Sequence, residues 1–105
     1  MLLGYFENTD TKETSVKIFY TYHALNIYTF SPLIETIFLL DTDKPPAGKS
    51  YQDKKENLKN IAIDYSLVFG DTNISWLEYA ILTDYFRQYG RRYGLLKEFR
   101  ENAIC

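Results

Sequence analysis

Cysteine is nearly absent from this 105-residue chain: the single one, Cys105, stands at the last position. A disulfide scaffold is therefore excluded, and the composition suits a reducing compartment. A thiol at a frayed terminus is also a poor nucleophile. Histidine is equally scarce. His23 alone would have to serve any nucleophile–His–acid set, and it stands in a strand-like run beside Tyr22. With no His/Cys cluster, no metal site is expected. Apolar runs stop at four or five residues, far short of the ~20 that a membrane helix needs. No basic stretch followed by a long apolar run opens the chain, so no secretory signal is expected and the cytoplasm is the expected location. Arginine is missing from the first 86 residues altogether.

What is present is aromatic. Ten Tyr, seven Phe and one Trp make 17% of the chain. Seven Phe suit a core. Ten Tyr are hard to bury, because each hydroxyl needs a partner, so some are expected at the surface. Hydrophobic residues at 46% and charged residues at 25% describe a folding chain rather than a disordered one. The length fits a single domain, 1–105.

Charge is divided along the chain. Residues 1–86 carry seven Lys against twelve acids, a net of −5, whereas residues 87–105 carry four Arg and one Lys against two Glu, a net of +3. The overall −2 argues against a protein that coats nucleic acid non-specifically, but leaves room for a local basic patch.

Residues 2–8, LLGYFEN, are expected to form a short strand. A polar turn over Asn8 to Thr14 leads to SVKIFYTYH, whose period of two puts Val16, Ile18, Tyr20 and Tyr22 on one face of a second strand. Asn26 to Phe30 continues it or adds a third. Ser31-Pro32 has the form of a helix start, and Leu33 to Leu40 is expected as two helical turns, with a buried strand as the rival reading. A Pro45-Pro46 loop follows. Ser50 and Asp53 open a helix with Leu58, Ile61, Ala62, Tyr65, Val68 and Phe69 inward, and Gly70 is expected to end it in a left-handed conformation. Asp71 to Ile74 is a connector. Ser75-Trp76-Leu77-Glu78 is a capping box that opens a helix through Leu77, Ala80, Ile81, Tyr85 and Gln88, stopped at Gly90. Arg91-Arg92-Tyr93 links to Gly94 and a last helix from Leu95 to about Asn102. The fold class is α+β, with a two- or three-stranded antiparallel sheet over about 2–30 packed against three or four helices over about 32–102.

Two motifs stop short of a site. Gly48-Lys49-Ser50 before a helix is the tail of a phosphate-binding P-loop. The Gly needed five residues earlier is Asp43, and Pro45 and Pro46 remove backbone donors. Asp41-x-Asp43 after an apolar run resembles the nucleophile motif of haloacid-dehalogenase phosphatases, a fold that needs more chain and further acids. No residue set meets the geometric needs of catalysis, so a non-enzymatic protein without a cofactor is expected. The candidate partner-binding residues are Arg87, Tyr89, Arg91, Arg92, Tyr93 and Arg100, since Arg and Tyr are the types enriched at binding hot spots. As a helix–turn–helix, the same hairpin would offer Arg91, Arg92, Lys97 and Arg100 to phosphates, although Glu98 and Glu101 oppose this.

The ending YFRQYGRRYGLLKEFRENAIC, with GKSYQDKKENLKNIAIDY before it, resembles small accessory proteins of conjugative and plasmid elements of Gram-positive bacteria, over about residues 49–105. Such elements also carry anti-CRISPR and other anti-defence proteins. The resemblance implies a protein that binds a host protein or ribonucleoprotein complex, a CRISPR effector nuclease being one such target. Nucleic acid binding and homodimerisation are the alternatives, and no membrane partner is expected.

Overall fold

A computed structural model describes residues 1–70 and 74–105. Among them the chain is α+β, with one three-stranded antiparallel sheet and four helices. The backbone gathers into two compact units, Met1–Asp43 and Lys44–Cys105.

The first unit runs β1 (Leu2–Asn8), β2 (Thr14–Phe19), α1 (Tyr22–Thr29) and β3 (Ile34–Asp41). Strand order is β2-β1-β3, so the first strand lies in the middle with an antiparallel neighbour on each edge. Leu2 faces Phe19 on one side and Asp41 on the other. Between Tyr5 and Phe6 the register slips, and Ile37 of β3 is passed over as a bulge. Asn8 closes the β1–β2 turn: its Oδ1 accepts from the amides of Asp10 and Thr11 at 2.9 and 3.2 Å. Leu2, Phe6 and Leu25 form the core under α1, joined by Phe19, Tyr28 and Ile34. The Phe6 ring meets Tyr28 and Phe19 edge-on, at centroid distances of 5.1 and 6.0 Å.

Two expected elements exchange character in this unit. Asn26 to Phe30, expected as strand, belongs to α1 and its C-cap. Thr21 caps that helix by accepting the Ala24 amide at 3.1 Å, and Leu25 and Tyr28, three residues apart, turn toward the sheet. Strand β2 accordingly stops at Phe19, and Tyr22 donates from its hydroxyl to Asp41 Oδ2 at 3.0 Å. Leu33 to Leu40, expected as helix, supplies β3 instead. Ser31 and Pro32 make a β-turn: the Ile34 amide reaches the Ser31 carbonyl at 3.2 Å, and the Leu33 amide reaches Ser31 Oγ at 3.3 Å. Ser at the first position and Pro at the second suit a β-turn as well as a helix start. The β-branched run that follows then completes the open edge of β1. The sheet therefore draws on residues 2–41, and the helices begin at 22.

The second unit holds α2 (Tyr51–Phe69), α3 (Trp76–Arg92) and α4 (Leu96–Glu101). Ser50 caps α2 by accepting from the Asp53 amide at 3.2 Å. The capping box at α3 is complete: Ser75 Oγ accepts from the Glu78 amide at 3.3 Å, and Glu78 Oε2 accepts from the Ser75 amide at 2.8 Å. Leu58, Ala62, Tyr65 and Phe69 are the buried face of α2. Rings carry much of this core: Tyr65–Phe86 lie 5.1 Å apart, Phe86–Phe99 5.8 Å and Tyr85–Tyr89 4.8 Å. A fully buried side chain of this kind contributes about 2–3 kcal/mol.

Helix α3 is rotated from the expected face. Leu82, Tyr85, Phe86 and Tyr89 point inward, while Leu77 and Gln88 are exposed. Its end also differs. Gly90 does not stop the helix, which continues through Arg92. A Cβ on Gly90 would stand 2.8 Å from a Phe99 ring carbon, so this glycine admits α4 rather than breaking α3. The terminator is Gly94, at φ +71°. Tyr93 is the C-cap, and the Leu95 amide returns to the Gly90 carbonyl at 2.7 Å, a Schellman closure. Helix α4 closes the same way, with the Ile104 amide on the Phe99 carbonyl at 2.8 Å, but Ala103 holds the left-handed position at φ +56°. Gly70 is helical at φ −54°, not left-handed. Residues 71–73 of the expected connector lie outside the described residues.

Candidate interaction surface

The basic C-terminal segment is built from α3, the turn at Gly94 and α4. Helical geometry divides its residues into two sets. Tyr85, Phe86, Tyr89 and Tyr93 follow one another at spacings of three and four and so share the buried face. Arg87, Arg91, Arg92 and Arg100 fall between or beyond them and are exposed.

Of the six residues expected to bind a partner, Tyr89 and Tyr93 are therefore core residues, only 6% and 4% exposed. Their rings stack at 6.5 Å, and Tyr93 also lies 5.3 Å from the ring of Tyr51. They hold the hairpin together, and their ring faces are not available as contact area for a protein partner. The four arginines are outside but do not form one patch. Arg87 lines an open cavity of about 510 Å³ with Trp76, Tyr79, Ala80, Thr83 and Asp84. Arg87 and Arg100 both act on the Cys105 thiol. Burial pushes that thiol up from its ordinary range, and the two guanidinium groups pull it part of the way back. Near neutral pH it stays protonated. Arg92 lies elsewhere, in a cavity with Lys49 and Lys54.

Comparison with known protein families, curated proteins and solved structures gave no match.

The surface offers features that the arginine pattern did not point to. Trp76 is 80% exposed, with the Tyr79 ring 5.9 Å away at a tilt of 32°, on the same cavity as Arg87. Leu77 beside them is exposed as well. The first unit exposes Tyr20, Ile27, Leu33 and Phe30, the last at 88%. A signal for the Trp76 group was present in the sequence. The capping box fixes Trp76 as the first helical residue, a position that projects at the helix end. Ile63 and Leu67, one helical turn apart, border a further cavity of about 360 Å³ with Phe99 and Ile104. Tyr65, buried between α2 and α3, has its hydroxyl pushed up from the ordinary phenol range, first by burial and then by Tyr79 and Cys105. Among the described residues no group of three or more His, Cys, Asp and Glu is placed to hold a metal ion, and no helix is long and apolar enough to cross a membrane.

Proposed function

We propose that the protein is a non-enzymatic binding protein that occupies a surface of another protein. One observation carries this reading. Trp76, Tyr79 and Arg87 lie together around one open cavity on the solvent side of α3, with Trp76 almost fully exposed. Trp, Tyr and Arg are the types that dominate binding energy at protein interfaces, and an exposed indole beside a second ring is costly to leave in water. On this reading host defence complexes, a CRISPR effector nuclease among them, are the first partners to test, following what the resemblance of residues 49–105 to mobile-element accessory proteins would imply.

The test is an affinity capture from host cytosol, with and without nuclease, comparing the wild type with a Trp76→Ala/Arg87→Glu variant. Both sites are on the surface, so the far-ultraviolet dichroism of the variant should match the wild type. The reading expects a protein partner that survives nuclease and is lost with the variant. Equal capture by a folded variant rejects this surface. A partner set that vanishes with nuclease favours the second reading, a nucleic-acid-binding module. That reading draws on the four exposed arginines, but α4 has only six residues and exposes Glu98 and Glu101 beside Arg100.

A further inference from the structure

We propose that the cavity at the start of α2 is a site for a phosphate group. This goes beyond the protein-binding reading and does not depend on it. The cavity, about 420 Å³, is lined by Lys49, Ser50, Tyr51, Lys54, Arg92 and Tyr93, with Pro45 at its rim. Three cations from three segments meet there, and no carboxylate is among the lining residues. No described residue holds the side chain of Lys49, Lys54 or Arg92 in an ion pair or a hydrogen bond. Like charges gathered without a counter-charge repel, and an anion between them removes that cost.

The backbone adds donors of its own. Ser50 Oγ takes the Asp53 amide and the Ser50 carbonyl takes the Lys54 amide, which leaves the Tyr51 and Gln52 amides without an acceptor among the described residues. They stand at the positive end of a 19-residue helix. A second, independent observation is Tyr93. It is only 4% exposed, it lines this cavity, and its hydroxyl has no hydrogen-bond partner among the described residues. No buried side-chain oxygen among the described residues lacks a partner, so the Tyr93 hydroxyl is one that solvent reaches, and it is free to donate to an anion in the cavity. Gly48 sets the geometry. At φ +148° it lies against the first turn of α2, where a Cβ would come within 2.8 Å of Asp53 Cβ and 2.9 Å of the Lys54 nitrogen. Lys49 is thereby delivered to the helix end.

This is not a P-loop, because Asp43 and the two prolines forbid the cradle. The grip is a single tetrahedral group, held by a guanidinium fork, two ammonium groups, a phenol and the helix amides. A phosphate dianion offers more charge and more acceptor oxygens to this set than a carboxylate does. The phosphate is either free or borne by a nucleotide, and the experiment separates these sources.

Nitrogen–proton NMR titrations would use inorganic phosphate, adenosine monophosphate and adenosine in turn, with ionic strength held by sodium chloride. The expected result is a saturable shift of the Tyr51 and Gln52 amides with both phosphates and none with adenosine. Tighter binding of the nucleotide assigns the phosphate to a larger ligand, and equal affinity assigns free phosphate. Arg92→Gln and Lys49→Gln, both at exposed positions, should each weaken binding about tenfold. Tyr93→Phe, which keeps the ring packing, should weaken it several-fold. Shifts that fail to saturate, shifts equally produced by sodium chloride, or an Arg92→Gln protein that binds like the wild type would overturn the proposal.

Discussion

Gly90 is a glycine in a helix interior, and the ordinary expectation is that Ala would stabilise it by about 1 kcal/mol. The structure predicts the opposite sign. An added methyl would stand 2.8 and 3.0 Å from two carbons of the Phe99 ring, and that ring is almost completely buried. It cannot swing away, because Phe86 sits 5.8 Å from it edge-on and the Leu95 amide ties the turn to the Gly90 carbonyl. Overpacking of this kind costs about 1–3 kcal/mol. Set against the helix gain, Gly90→Ala should destabilise the protein by roughly 1 kcal/mol, a fall of about 4–8 °C in Tm for a chain near this size. The cause can be isolated with a double-mutant cycle. Phe99→Leu removes the ring edge, and in that background Gly90→Ala should be neutral or stabilising. Thermal and urea unfolding of the four proteins gives the coupling. A wild-type background in which Gly90→Ala raises Tm, or additive effects in the cycle, would refute the reasoning.

Ala103→Gly should stabilise by on the order of 1 kcal/mol, because a Cβ is penalised at φ +56° and glycine removes that penalty while keeping the Schellman closure; urea midpoints would show it. The Cys105 thiol, raised by burial, should alkylate with iodoacetamide more slowly at pH 8 than a free thiol, with its rate profile displaced to higher pH. Arg87→Gln removes a positive charge that favours the thiolate, so the profile should move higher still; movement to lower pH would contradict the assignment.

The sequence was most legible where local chemistry and burial agree. Ser50 with Asp53, and Ser75 with Glu78, opened α2 and α3 at the residues where the structure opens them. Four of the six expected α2 core positions, Leu58, Ala62, Tyr65 and Phe69, followed from spacing, while Ile61 and Val68 are half-buried. It was least legible where one local signal serves two structures. Ser31-Pro32 caps a helix or begins a β-turn, and only the open edge of β1, more than twenty residues earlier, decides between them. Glycine was ambiguous in the same way. Gly90 looked like the stop and Gly94 like the end of a link, yet the first admits a ring and the second ends the helix, because the first depends on Phe99 and the second on φ. At the candidate site the four arginines are exposed, which a contact role requires. Tyr89 and Tyr93 were expected beside them, but a helix of period 3.6 puts neighbours in sequence on different faces. The meeting of Lys49, Lys54 and Arg92 is a product of tertiary packing between distant segments, which no spacing rule contains.

The distribution of aromatic rings also decides how this molecule reports on itself to light. Its only indole, Trp76, stands in solvent with Tyr79 as its ring neighbour, so its emission should already be that of a water-exposed fluorophore in the native state. Unfolding would change that emission little, and quenching of it would register whatever covers α3. The coupled phenol and phenyl rings of the core, from Tyr93 through Tyr89 and Tyr85 to Phe86, with exposed Tyr51 against Tyr93, carry the complementary signal. Held at fixed tilts in an asymmetric setting, they should give a near-ultraviolet dichroism that disappears when the core melts. Two optical channels in one small chain thus separate occupancy of the surface from integrity of the interior.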